Sequence, residues 1–452
     1  MVTVPRRSVL ALGASGLTLA ACAPGGGSDQ SSGSAKPAAD INTDAKSLGK
    51  VTLTVWDQEV RGGQKQQMET LIGQFEKKYP NIKIKRVSRS FDDLSKTLRL
   101  AMNGDNAPDV VQANNTRSQM GKFVKAKQIV SLDNYAKAYG WDDRFSDSIR
   151  SVSSYSPDAT TFGSGQLYGV PQVGEVVGIY YNADKLKKLG IKAPKTWAEF
   201  DKALATAKSK GEVPLAFGNL EKWPAAHVFG LLQGRYTDAK AIRTLGFGES
   251  GGDWESDSNL KAASAFRDLA TKGYFAKGFN GQGYDPAWQA FSKGTGVFLI
   301  AGTWLQADLA KAMGDAVRFT LPPAPEGGDI PLAPGGTGLP FAITSKAKKP
   351  DAAAAYLDFI TSPEAMKILT DTGNLPVSET SKQKAPDRLA TDVFDAFSTI
   401  STDDGLLPYL DWATPTMGDT IGAALQGLLA GKASAEATLK TLATDYQEFT
   451  AK

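Results

Sequence analysis

The sequence predicts an α/β protein of two lobes, and three observations carry that expectation. From Val51 onward, segments with the two-residue period of a strand alternate with segments of helical period, the pattern of a layered α/β structure with a mainly parallel sheet. The chain has 452 residues, more than one hydrophobic core normally serves. Proline and glycine crowd Leu321 to Pro340, a composition suited to a crossing between lobes.

The N-terminus reads as an export signal. Arg6 and Arg7 precede a weakly apolar stretch from Val9 to Ala21 that ends in Leu19-Ala20-Ala21-Cys22. Paired arginines fit the twin-arginine route, and Pro5 and Ser8 leave the Sec route open. The stretch is too short, and too often interrupted by Gly13, Ser15, Gly16 and Thr18, to match the roughly 20 apolar residues of a membrane span. Residues 1–21 are therefore expected to be a signal peptide, with the chain cut before Cys22. Cys22 is the sole cysteine, so no disulfide can form within the chain. The small-residue run after it reads as a flexible tether over 22–49, and the folded body is expected to start near Lys50.

Val51 to Trp56 alternates as a strand, and a turn is expected at Gly62 and Gly63. Met68, Leu71, Ile72, Phe75 and Tyr79 recur at helical spacing until Pro80 and Asn81, after which Ile82 and Ile84 open the next strand. The unit repeats with Leu94 to Met102 as helix and Asp109 to Val111 as strand. A second α/β region has a strand at Val176 to Tyr181 and a capping box at Thr196-Trp197-Ala198-Glu199. Val297 to Ala301 is a short apolar run of the buried-strand kind. Ser362-Pro363-Glu364 starts a helix that Gly373 ends, and Ile421 to Phe449 is helical with a break at Gly431.

Several segments resemble the family-1 extracellular solute-binding proteins, the maltose-binding-protein-like receptors of carbohydrate ABC importers. They are Leu167-Tyr-Gly-Val-Pro171, Gly178-Ile-Tyr-Tyr-Asn182, Pro194-Lys-Thr-Trp-Ala-Glu-Phe200, Phe291 to Trp304, Gly335 to Ile343, and Ala352 to Gly373. Their order and spacing carry more weight than any one of them. Leu-Ala-Ala-Cys likewise resembles the bacterial lipobox, which implies lipidation at Cys22 and a protein held at the outer face of the cell membrane. The resemblance implies a periplasmic-binding-protein-like type II fold, two α/β lobes joined by hinge strands around a ligand cleft. It divides the chain into an N-terminal lobe of 50–172 and 322–374 and a C-terminal lobe of 173–321 and 375–452. It also implies a monomer that closes on an oligosaccharide and delivers it to an ABC permease.

A sugar site needs aromatic faces for the C–H surface of the rings and planar polar groups for the hydroxyls. Trp304 follows the buried strand and its glycine, where the family counterpart stacks on sugar. Glu175 falls where the family has a polar hinge residue, though a solvated hinge carboxylate would look the same. Gln58 and Glu59 follow the first strand, and Asn114 and Asn115 the third; asparagine after a strand is also a common turn residue. Trp223 and Asn219 lie where the family carries an aromatic contact, Trp223 being the better candidate, while His227 is expected to pack within the helix that follows. Tyr409, Asp411 and Trp412 resemble a segment of receptors for raffinose-like and isomaltose-like di- and trisaccharides. Gly336 and Thr337 could bring backbone N–H groups close to a hydroxyl.

Other classes find less support. Removing residues 1–21 leaves 431 residues with 49 basic and 48 acidic side chains, scattered along the chain, so no nucleic-acid partner is expected. Gly248 to Gly252 matches GxSxG, but no buried strand enters it and His227 precedes the serine. Gly427 to Lys432 falls short of a phosphate-binding loop. With one histidine and no Asp/Asn ladder, neither a metal site nor a cofactor is expected. A lipid-anchored glycoside hydrolase needs only two carboxylates and stays the alternative from the enzyme class. A receptor for glycerol phosphate would call for a basic pocket, which the candidate loops do not offer.

Overall fold

The computed structural model describes residues 36–451; the expected signal peptide and the lipidation site Cys22 lie outside them. The tether ends earlier than composition suggests. Ile41 and Ala45 are buried in the first core, and Asp351 accepts from the Asn42 backbone N–H at 3.1 Å and pairs with Lys36 at 2.6 Å. Two apolar anchors four residues apart are enough to pin a segment that otherwise looks like a linker.

The first sheet is formed by β1 (Val51–Asp57), β2 (Ile82–Ser88) and β3 (Val110–Gln112), all parallel. Helices α1 (Gly62–Lys78) and α2 (Phe91–Asn103) make the crossovers between them. No turn forms at Gly62 and Gly63; α1 starts there. A side chain on either glycine would collide with Asp308 or Ala307 of the helix Gln306–Met313, so the pair lets two helices approach closely.

A small hairpin, β4 (Ser154–Tyr155) with β5 (Gln166–Leu167), follows. The second sheet is organised on the long buried strand β6 (Gly174–Asn182), with β7 (Leu215–Ala216), β8 (Phe298–Gly302), β9 (Val317–Thr320) and β10 (Ala333–Thr337). β11 (Phe341–Ile343) returns to the first sheet antiparallel to β3, and β12 (Leu406–Leu407) closes the second, so the sheet orders are β11-β3-β1-β2 and β12-β10-β6-β8-β7, with β9 also paired to β6.

β10 falls inside the range expected for the first lobe, yet its hydrogen bonds go to β6, with Gly336 opposite Glu175. Within the proline- and glycine-rich stretch, the crossing comes only at its end, over 338–340. Three passages of chain run side by side there. The Gly174 N–H donates to the Leu375 carbonyl at 2.9 Å, the Gly338 N–H to Val173 at 2.9 Å, and the Val170 N–H to Phe341 at 3.0 Å. They form a narrow hydrogen-bonded hinge between two α/β lobes. The capping box at Thr196 forms as expected, and Gly248 to Gly252 follows the helix Ala239–Phe247 with no strand entering it.

Candidate functional site

A cavity of about 670 Å³, partly open to solvent, lies beside the hinge. Its wall draws on both lobes: Gln58, Arg61, Phe91, Asn114 and Asn115 from the first, and Trp223, Trp304 and Asp411 among others from the second. Gln58 follows β1, Asn114 and Asn115 follow β3, and Trp304 follows β8, so the lining groups gather beyond the carboxyl ends of parallel strands, where α/β sheets expose loop atoms to ligands.

Trp304 owes its position to Gly302. Its indole folds back over that glycine, where a β-carbon would collide with the ring, and its Nε1–H donates to Tyr284 Oη at 2.7 Å. Trp223 opens the helix Trp223–Tyr236 directly after Lys222, which holds a left-handed φ of 70°. Its ring lies 4.5 Å from Tyr284, 5.1 Å from His227 and 6.0 Å, edge-on, from Phe91 of the facing lobe. Tyr409 lies 5.1 Å from His227 and 5.4 Å from Trp412. The result is a continuous aromatic wall, the apolar half of a saccharide-type surface.

The polar half is mostly acidic. Glu175, 8% exposed on β6, accepts from Tyr409 Oη at 3.4 Å. Desolvation pushes its carboxyl up to about 8, and the neighbouring Glu59 charge adds to the rise. Asp411 is pushed up to about 6 by desolvation, and burial drives His227 down to about 3, so that imidazole is neutral. Arg61 lines the cavity but is paired with Asp285 across the cleft at 2.8 Å. Thr337 Oγ1 and Trp223 Nε1 are buried without a hydrogen-bond partner.

Ten of the residues expected at the site line this cavity: Gln58, Asn114, Asn115, Glu175, Trp223, Trp304, Thr337, Tyr409, Asp411 and Trp412. Three others do not. Asn219, 0% exposed, accepts from the Ala225 N–H at 3.1 Å and donates to Asn280 at 2.9 Å, so it is spent on fastening the start of the Trp223 helix. Glu59, 1% exposed, sits behind Gln58 and accepts from Gln112 Nε2 at 2.8 Å. Gly336 contributes conformation, with a φ of 128° that side chains rarely adopt. Asn115 lines the wall, but its amide donates to the Val152 carbonyl at 2.8 Å; Asn114 Oδ1 accepts from the Thr116 N–H at 3.3 Å in a turn. Arg61, Phe91, Leu339 and His227 were not expected there. His227 does pack among aromatic rings, but one side of it faces the cavity. Phe91 carried a weak signal, an aromatic at the head of α2 that continues the face of Leu94, Leu98 and Met102 one turn beyond its buried part.

Among the described residues, no cluster of side chains is arranged to hold a metal ion, and no helix is long and apolar enough to cross a membrane. The profile of the family described as bacterial extracellular solute-binding protein matches residues 62–367, more than half of the chain. A multiple sugar-binding protein of Streptococcus mutans is 25% identical over 319 residues, covering 69% of this chain and 71% of its own. A maltooligosaccharide ABC transporter solute-binding lipoprotein of Streptococcus pneumoniae is 26% identical over 375 residues, covering 79% and 80%. Among solved structures, a chitin oligosaccharide binding protein superposes with a TM-score of 0.75 at 22% identity, covering 89% of this chain and all of its own, a likeness of fold.

Proposed function

Because the chain belongs to the bacterial extracellular solute-binding protein family, we propose that its interlobe cavity captures an oligosaccharide, without altering it, and that the closed form presents it to an ABC permease. One observation carries this reading: aromatic rings from several separate segments meet carboxylates in a cavity beside the hinge, so a ring-shaped polyol can be stacked and hydrogen-bonded at once. The names of the relatives, which bind multiple sugars and maltooligosaccharides, support the same class of ligand. Ligand contacts to both lobes favour the closed state by their own free energy, and three hydrogen-bonded passages of chain suit a hinge motion.

Anchoring belongs to the same proposal. Leu19 to Cys22 and the lipoprotein among the relatives support a lipid on Cys22 and an extracytoplasmic site of action. Di- and trisaccharides are the proposed ligands, with Trp304, Trp223, Tyr409 and Trp412 as platforms and Glu175 and Asp411 as hydrogen-bond acceptors.

The test is a thermal-shift panel of di- and trisaccharides, with chromatography of the same samples after prolonged incubation. A rise in melting temperature with the sugar recovered intact is the expected result, since a ligand that binds only the native state stabilises it. Release of smaller sugars would replace the receptor reading with a glycosidase, and no shift across the panel would remove the saccharide.

A further inference from the structure

The cavity carries acid without matching base. Glu175 and Asp411 both line it, and neither takes part in an ion pair among the described residues. The sole hydrogen bond of the Glu175 side chain comes from the neutral Tyr409 hydroxyl, and Asp411 bonds to no other side chain there. Behind them stands a third carboxylate, Glu59, with Oε2 buried and unpartnered. The one cationic side chain in the wall, Arg61, is committed to Asp285, and His227 is neutral. Asn114 Oδ1 and Asn115 Nδ2 are spent on nearby backbone groups, so of the three amides in the wall only Gln58 keeps both polar atoms free among the described residues. Thr337, 2% exposed with its hydroxyl unpartnered, gives independent evidence that this wall awaits a polar ligand.

A neutral sugar leaves both carboxyl groups buried with no countercharge when the lobes close over it, so each must either stay protonated or carry an unpaired buried charge at a cost in free energy. A ligand with its own positive charge removes that cost and gains attraction from the faces of Trp223, Trp304 and Tyr409. We propose that the preferred ligand is an amino sugar, a saccharide whose protonated amine is received by Glu175 and Asp411 against the aromatic wall. This rests on the saccharide reading above and narrows it. The groups facing Glu175 are Glu59, Arg61, Tyr409 and Tyr284, and the one cation among them is the paired Arg61. An arriving ammonium would therefore ionise the Glu175 carboxyl and release its proton.

Calorimetry on the mature chain near neutral pH, where Asp411 is ionised, tests this with matched ligands: glucose, galactose and the β-1,4-linked glucose dimer, each beside its 2-amino and 2-acetamido counterparts. The expected result is at least tenfold tighter binding of an amine than of its neutral and acetylated partners, with the preference lost in Glu175→Gln and Asp411→Asn. Equal or tighter binding of the neutral or acetylated partners overturns the amine while leaving the saccharide receptor in place. Binding of no ligand in any set overturns both. If a variant fails to fold, the comparison of amine with acetamide on the unaltered protein decides alone.

Discussion

At Trp304 an indole lies over Gly302, held through Nε1 by Tyr284, so the ring is pre-positioned before any ligand arrives. A rigid aromatic face of this kind carries a large share of binding energy. Trp304→Ala is expected to weaken saccharide binding by about 2 kcal/mol or more, read by calorimetry. Unchanged affinity would take Trp304 out of the site. Glu175 links the site to pH. Its carboxyl is raised from 4.5 to about 8, so between those values the folded chain keeps a proton that the unfolded chain has lost. Its contribution is intact below 4.5 and is lost as pH rises through 8. From about pH 5 to about pH 8 the melting temperature should therefore fall more steeply than in Glu175→Gln, and parallel profiles would contradict the buried, protonated carboxyl.

Among the elements, the helix Trp197–Ser209 declared its start in sequence. Thr196 accepts from the Glu199 N–H at 3.2 Å and Glu199 reaches back to the Thr196 N–H, a reciprocal pair that needs nothing from the rest of the molecule. Thr196→Ala should lower stability by about 1 kcal/mol in denaturant titration and leave ligand affinity unchanged, because the cap is remote from the cavity lining. The start of α1 behaves in the opposite way. Gly62 and Gly63 look like a turn to local rules, and only the neighbouring helix Gln306–Met313, from the other lobe, explains why a helix begins on two glycines.

For the whole molecule, the lobes meet around the cavity mouth through Arg61 with Asp285, Phe91 against Trp223, and Arg117 donating to the Phe247 carbonyl at 3.0 Å. Asp285 does not line the cavity, so Asp285→Asn loosens closure without removing a lining group, although it also releases Arg61 within the wall. The half-exposed pair contributes about 1 kcal/mol at most, and its loss should enlarge the ligand-free radius of gyration in solution scattering and weaken binding by less than tenfold. By itself the sequence determined strands β1, β2, β3, β6 and β8, a minority of the helices, and the loops that follow β1, β3 and β8, because apolar period and capping chemistry act over a few residues. Those loops brought Gln58, Asn114, Asn115 and Trp304 into view, while Glu175, Trp223, Tyr409, Asp411 and Trp412 came from the family resemblance. Tertiary structure alone decided that β10 stays in the second sheet until residue 338, that Asn219 and Glu59 are occupied elsewhere, and that Arg61, Phe91, Leu339 and His227 share the wall. Apart from the bond of Asn219 to Ala225, those outcomes depend on partners more than fifty residues away along the chain or on the opposite lobe, and the local pattern of a sequence holds no record of who they are.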